Sequence, residues 1–196
     1  KALAIKPDYA QAHNNLGIVL KERGKLEDAV ASYHKALTIK PDYADALNNL
    51  GIVLKERGHL DEAIASYLKA LAIEPDFAEA HSNLGNVHLE LGHLDEAFAS
   101  HQKALTINPD NAEAHNSLGA TLEELGRYDQ AIASYEKALT FKPDYAEANY
   151  NLGNTLRELG QMDDAVASYD KAIAIKPDYA EAHYILGNAL QDLGKL

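Results

Sequence analysis

The stretch AQAHNNLGIVLKERGKLEDAVASYHKALTIKPDY, Ala10 to Tyr43, decides how the chain is read, because ADALNNLGIVLKERGHLDEAIASYLKALAIEPDF, Ala44 to Phe77, repeats it at most positions. Outward from it the prolines keep register: Pro7, Pro41, Pro75, Pro109, Pro143 and Pro177 fall 34 residues apart. A fixed period of this size means one supersecondary unit copied along the chain. Stacked copies make long surfaces that bind partners and rarely carry catalytic machinery.

Within one unit the hydrophobic period predicts a helix from Ala10 to Arg23, a break at Gly24, and a second helix from Leu26 to Ile39 that stops at Lys40-Pro41-Asp42. Gly24, Gly58, Gly92, Gly126, Gly160 and Gly194 follow the first helices, where a left-handed C-terminal residue is easiest for glycine. Acidic residues at Glu27, Asp61, Asp95, Asp129 and Asp163 favour the positive end of the second helix. A second glycine column, Gly17, Gly51, Gly85, Gly119, Gly153 and Gly187, lies inside the first helices and costs about 1 kcal/mol each against alanine. The expected compensation is close backbone approach to the small Ala29, Ala63, Ala97, Ala131 and Ala165 of the second helices. Leu16, Leu20, Tyr33, Ala36, Leu37 and Ile39 supply the apolar faces.

Residues 10–43, 44–77, 78–111, 112–145 and 146–179 are thus five repeats. Residues 1–9 read as the end of an upstream repeat and 180–196 as the first helix of a further, truncated one. The expectation is a piece of a longer array whose apolar ends, Leu3 and Ile5 against Leu186, Leu190, Leu193 and Leu196, allow head-to-tail association of copies.

These residues resemble the tetratricopeptide repeat family, whose signature appears as His13, Leu16-Gly17, Leu20, Ala29, Tyr33 and Pro41 and recurs to the end of the chain. Two columns depart from it. The leading Trp is His13, Leu47, His81, His115, Asn149 or His183, and the first-helix Tyr is mostly Leu, with His88 in the third copy. The resemblance implies an all-α fold, a right-handed superhelical solenoid of antiparallel helix pairs, whose first helices line a concave face.

On that face the helical spacing i, i+4, i+7, i+11 selects Gln11, Asn15, Ile18 and Glu22 in the first copy. The corresponding residues are Asp45, Asn49, Ile52 and Glu56; Glu79, Asn83, Asn86 and Glu90; Glu113, Ser117, Ala120 and Glu124; Glu147, Asn151, Asn154 and Glu158; then Glu181, Ile185, Asn188 and Asp192. Asparagine is a poor helix former, so its recurrence at Asn15, Asn49, Asn83 and Asn151 suggests use. An amide offers donor and acceptor together and can hold a peptide backbone without reading side chains. This column looks like the asparagine ladder in the repeat arm of O-linked N-acetylglucosamine transferases; passive copying by duplication is the alternative, and Asn14 and Asn48 beside it are read as scatter. The candidate peptide-binding set is therefore Asn15, Asn49, Asn83, Asn86, Ser117, Asn151, Asn154 and Asn188, flanked by Asp45, Glu79, Glu113, Glu147 and Glu181. The flanking carboxylates favour an extended peptide that is neutral to basic. Lysines that clamp a C-terminal carboxylate in other family members are missing, since the adjoining residues are Asn14, Asn48, Ser82, Asn116, Tyr150 and Tyr184.

Composition narrows the partners further. With 30 acidic against 18 basic residues the formal charge is −12, which repels phosphate backbones and anionic lipid, so neither nucleic acid nor a membrane is expected as partner. No apolar run approaches the ~20 residues of a membrane helix. Without cysteine there are no thiolate sites, and a reducing cytosol is permitted but not demanded. The nine histidines form no i, i+4 pair or HExxH arrangement, so no metal or cofactor is expected. Gly17 to Gly24-Lys25 misses phosphate-loop spacing, and no nucleophile, base and orienting acid converge. The sequence reads as a binding module without catalysis of its own. Its alternatives are the substrate-recruiting arm of a larger glycosyltransferase and a self-assembling scaffold.

Overall fold

A computed structural model describes residues 9–195. Eleven helices run through these residues with no strand among them. Leu3, Ile5 and Leu196, named above as apolar ends, lie outside the described residues, while Leu186, Leu190 and Leu193 are half-buried. The helices group into two compact units, one ending at His93 and the other beginning at Leu94.

The first unit holds α1 (Ala10–Glu22), α2 (Leu26–Ile39), α3 (Ala44–Glu56), α4 (Leu60–Ile73) and α5 (Ala78–Glu90). The second holds α6 (Leu94–Ile107), α7 (Ala112–Glu124), α8 (Tyr128–Phe141), α9 (Ala146–Glu158), α10 (Met162–Ile175) and α11 (Ala180–Asp192). Within each unit a first helix pairs with the second helix that follows, as α1 with α2 and α7 with α8, and neighbouring first helices touch along one face.

The glycine after each first helix takes positive φ, from 64° to 77°. After α3 the Gly58 N–H donates to the Lys55 carbonyl at 2.8 Å and the His59 N–H to that of Leu54 at 2.9 Å. This is the paired closure that consumes two of the carbonyls a helix leaves open and turns the chain back within three residues. Acidic first turns then start the second helices, Asp61 and Glu62 in α4 and Asp163 and Asp164 in α10.

The inner glycine column has a different partner from the one the sequence suggests. A Cβ built on Gly51 would meet Cε1 of Tyr67 at 2.6 Å, and Gly17, Gly119 and Gly153 would meet Tyr33, Tyr135 and Tyr169 at 2.5–2.6 Å. The aromatic ring, not the Ala29 column, occupies the space a side chain would need. These four tyrosines are at most 1% exposed and sit at the heart of each unit, with Leu50, Val53, Leu54 and Ala63 around Tyr67 and Leu122 and Ala131 around Tyr135. Burial on this scale is worth roughly 4 kcal/mol per ring by area, more than the ~1 kcal/mol a helical glycine costs. Deprotonation is disfavoured accordingly. Burial, with smaller contributions from nearby carboxylates, pushes the Tyr33 phenol up to about 12.

Histidine in the tryptophan column acts on the inter-repeat turn. The Nε2–H of His81 donates to the Pro75 carbonyl at 2.9 Å, and His115 and His183 do the same to Pro109 and Pro177. Asn149, at the same position, donates to the Tyr145 carbonyl at 3.2 Å. Side chain and turn are thereby tied together.

His101 replaces the buried tyrosine in the third repeat. It is fully buried, and neither ring nitrogen has a hydrogen-bond partner. Desolvation holds its pKa down, at about 4.

Two measurements probe this core. Gly51→Ala is expected to lower stability by about 1–3 kcal/mol in urea unfolding, because overpacking against Tyr67 outweighs the ~1 kcal/mol gain in helix propensity. Gly187→Ala should instead stabilise, since beyond its chain neighbours and its own helix backbone nothing lies within 4 Å of the added carbon. For His101 the folded state binds its proton less readily than the unfolded chain, so stability is full above about pH 6.5 and falls as pH drops toward 4. The loss is expected to reach about 3 kcal/mol, and His101→Tyr should remove this part of the pH profile.

Candidate functional site

Every candidate residue lies on a first helix, and the amides turn out to be paired. In the first unit Asn49 on α3 donates its Nδ2–H to the Oδ1 of Asn14 on α1 at 3.1 Å, and Asn83 on α5 donates to Asn48 on α3 at 3.0 Å. In the second unit Asn151 on α9 donates to Asn116 on α7 at 3.1 Å. The acceptors stand 35 residues before the donors, one position beside the predicted column. Asn14, Asn48 and Asn116 are 5%, 2% and 5% exposed, and they are the residues of the candidate face that sequence reasoning missed. The signal was present as the doubled asparagines Asn14-Asn15 and Asn48-Asn49.

Two of these buried amides also donate onward. Asn48 Nδ2 reaches Glu79 Oε1 at 3.0 Å, and Asn116 reaches Glu147 at 3.4 Å. Two candidate carboxylates are therefore held by the same network. A third, Glu113, accepts from Lys142 Nζ at 2.7 Å, and that bond lowers its pKa. Asp45 and Glu181 are exposed.

The remaining candidates divide by environment. Asn15 is exposed on α1; Asn86, Ser117 and Asn188 are half-buried; Asn154 accepts from the Tyr169 hydroxyl at 2.9 Å. Ile185 takes the ladder position on α11 and interrupts it. Beyond the amides, ion pairs Lys21–Glu56 at 3.9 Å and Lys55–Glu90 at 3.5 Å join the far ends of α1, α3 and α5. At the near ends Lys40, Lys142 and Lys176 stand 4.5–4.8 Å over the rings of Tyr43, Tyr145 and Tyr179.

The face can therefore do two things. Half of the donor capacity of Asn49, Asn83 and Asn151 knits adjacent first helices, each satisfying a buried amide that would otherwise cost about 1–3 kcal/mol. The second N–H and the Oδ1 of Asn49, Asn83 and Asn151 bond to no other side chain among the described residues, and these half-buried groups can pair with a backbone laid across the helices.

Asn83→Ala is accordingly expected to destabilise by about 1–3 kcal/mol despite the better helix propensity of alanine, because the Asn48 carbonyl loses its partner. Asn15→Ala, at an exposed site, should leave the urea midpoint unchanged or slightly raised.

Comparison with known proteins follows this geometry. A family profile described as TPR repeat matches residues 19–58, 53–92 and 153–194, and profiles described as tetratricopeptide repeat match 76–144, 1–31 and 134–167. No curated protein sequence matches. Among solved structures the chain is similar to YrrB, described as a TPR protein with an unusual peptide-binding site, at 28% identity over 94% of this chain and 95% of that one, TM-score 0.71. It is also similar to TTC0263, a thermophilic TPR protein of Thermus thermophilus, at 25% identity over 93% and 100% of the two chains, TM-score 0.77. MamA matches at 28% identity over 84% and 96%, TM-score 0.73.

Proposed function

Because the chain belongs to the tetratricopeptide repeat family, whose members serve generally as non-catalytic interaction scaffolds, we propose that its first-helix face binds an extended, neutral to basic peptide. One observation carries this reading: in each unit, half-buried first-helix amides with spare hydrogen-bonding capacity, bordered by carboxylates. Peptide backbone is the ligand such a row fits, since each amide can both donate and accept, whatever the ligand's side chains. Each bond contributes about 0.5–1.5 kcal/mol net, so affinity comes from several engaged together.

Charge sets the preference. Asp45, Glu79, Glu147 and Glu181 are exposed along the face and present like charge to an acidic ligand. The peptide-binding site described for YrrB supports a peptide ligand for the present chain without identifying its sequence.

The test uses peptide arrays graded in net charge, followed by anisotropy titration of a dye-labelled lysine–serine decapeptide. Neutral and basic peptides should bind and glutamate-rich ones should not. Combining Asn15→Ala, Asn86→Ala and Asp45→Lys, which spares every observed inter-helix amide bond, should weaken the lysine–serine probe at least fivefold with helicity unchanged. Equal affinity in the folded variant would move the site off this face.

A further inference from the structure

On the first-helix face of the first unit, two rows of inter-helix bonds cross α1, α3 and α5. One is the amide row, Asn49 to Asn14 at 3.1 Å and Asn83 to Asn48 at 3.0 Å. The other is the row of ion pairs, Lys21–Glu56 at 3.9 Å and Lys55–Glu90 at 3.5 Å. Ile18 follows Asn14 by four residues and precedes Lys21 by three, and Ile52 stands in the same way between Asn48 and Lys55. Helical spacing therefore places both isoleucines between the two rows. Both are half-buried and pack against the core around Tyr33 and Tyr67. Asn86 takes the corresponding place on α5 and ends the apolar pair.

The second unit carries amides across its first helices but no such pair. Ala120, Asn154 and Asn188 occupy the isoleucine column on α7, α9 and α11. The repeat itself thus accepts alanine or asparagine at this position. Two branched apolar side chains there, on the face of the ladder amides, give the first unit a means of reading side chains as well as backbone.

Spacing decides what is read. Neighbouring first helices touch, and helices packed side by side stand about 8–10 Å apart. A polyproline II segment has three residues per turn and rises about 3.1 Å per residue, so every third side chain returns to one face about 9 Å further on. A β-strand presents same-face side chains about 7 or 13 Å apart, and neither distance fits one helix step. The polyproline conformation also makes no internal hydrogen bonds, which leaves its backbone groups open to the ladder amides. Charge agrees with the neutral to basic ligand: Glu22, Glu56 and Glu90 outnumber Lys21 and Lys55 in the far row, and Asp45 and Glu79 border the amides.

Building on the peptide-binding reading of this face, we propose that the first unit selects a polyproline II segment with a bulky apolar side chain at every third position. Two successive such side chains seat on Ile18 and Ile52, and the ladder amides hold the backbone beside them. Ile18 and Ile52 are thereby specificity-determining residues, which the second unit lacks.

The test is anisotropy titration of two dye-labelled decapeptides of identical composition, built from leucine, proline, serine and lysine. One has its two leucines three residues apart and the other has them two apart. The first should bind at least fivefold more tightly. Ile18→Asn with Ile52→Asn should bring the ratio of the two affinities to about one, whatever happens to affinity overall. Asparagine already stands at this position on α9 and α11, and circular dichroism checks that the variant folds. The comparison on the unaltered chain decides the matter without the variant. Equal or tighter binding of the two-apart peptide, or a ratio that persists in the folded variant, would overturn the proposal. The lysine–serine decapeptide is titrated alongside. If it binds while the two leucine peptides are indistinguishable, this inference falls alone; if none of the three binds, the peptide-binding reading falls with it.

Discussion

In four helix pairs a tyrosine ring lies where a glycine leaves room for it. That contact sets how closely the two helices approach, and everything on either face follows from their separation. The glycine weakens its own helix, and the ring burial it permits more than offsets the loss. With the pair locked, first helices are presented side by side, and the face they share bears the amides.

The amide network is the second consequence. Asparagine donors at one position reach buried asparagine acceptors 35 residues earlier, on the preceding first helix, so each bond crosses from one repeat to the next. Repeat arrays hold together through nearest-neighbour interfaces, and a hydrogen bond there stabilises the stack itself. The column is for this reason structural, while one N–H and the Oδ1 of Asn49, Asn83 and Asn151 bond to no other side chain among the described residues. Recurrence of asparagine, taken alone, therefore argues less for a ligand than the unspent donors and acceptors do.

Much of the fold was legible because the period is strict. Pro41 and its copies marked the unit, Gly58 and its copies marked the turn with positive φ, and the helices begin and end within a residue of the expected places. The partner of Gly51 was not legible. Small residues on both helices suggested backbone contact, whereas a ring reaching across from Tyr67 fills the gap, and side-chain reach is invisible in a pattern of apolar positions. The candidate face was half legible. Its helix and its stripe could be placed from the 3.6-residue period, but the burial of Asn48 and the engagement of Glu79 depend on how successive first helices lean together. The histidines illustrate the same limit, since His81 and His101 stand in columns that packing explains and do quite different things there.

The central claim is that the first-helix amides hold peptide backbone. Side-chain amide resonances of the asparagines, followed by NMR as the lysine–serine peptide is added, test it most directly. The account requires the Nδ2–H signals of Asn49, Asn83 and Asn151 to shift in a saturable manner, while amides on the second helices stay in place. Saturable shifts confined to the second helices, with the ladder signals unmoved, would contradict it.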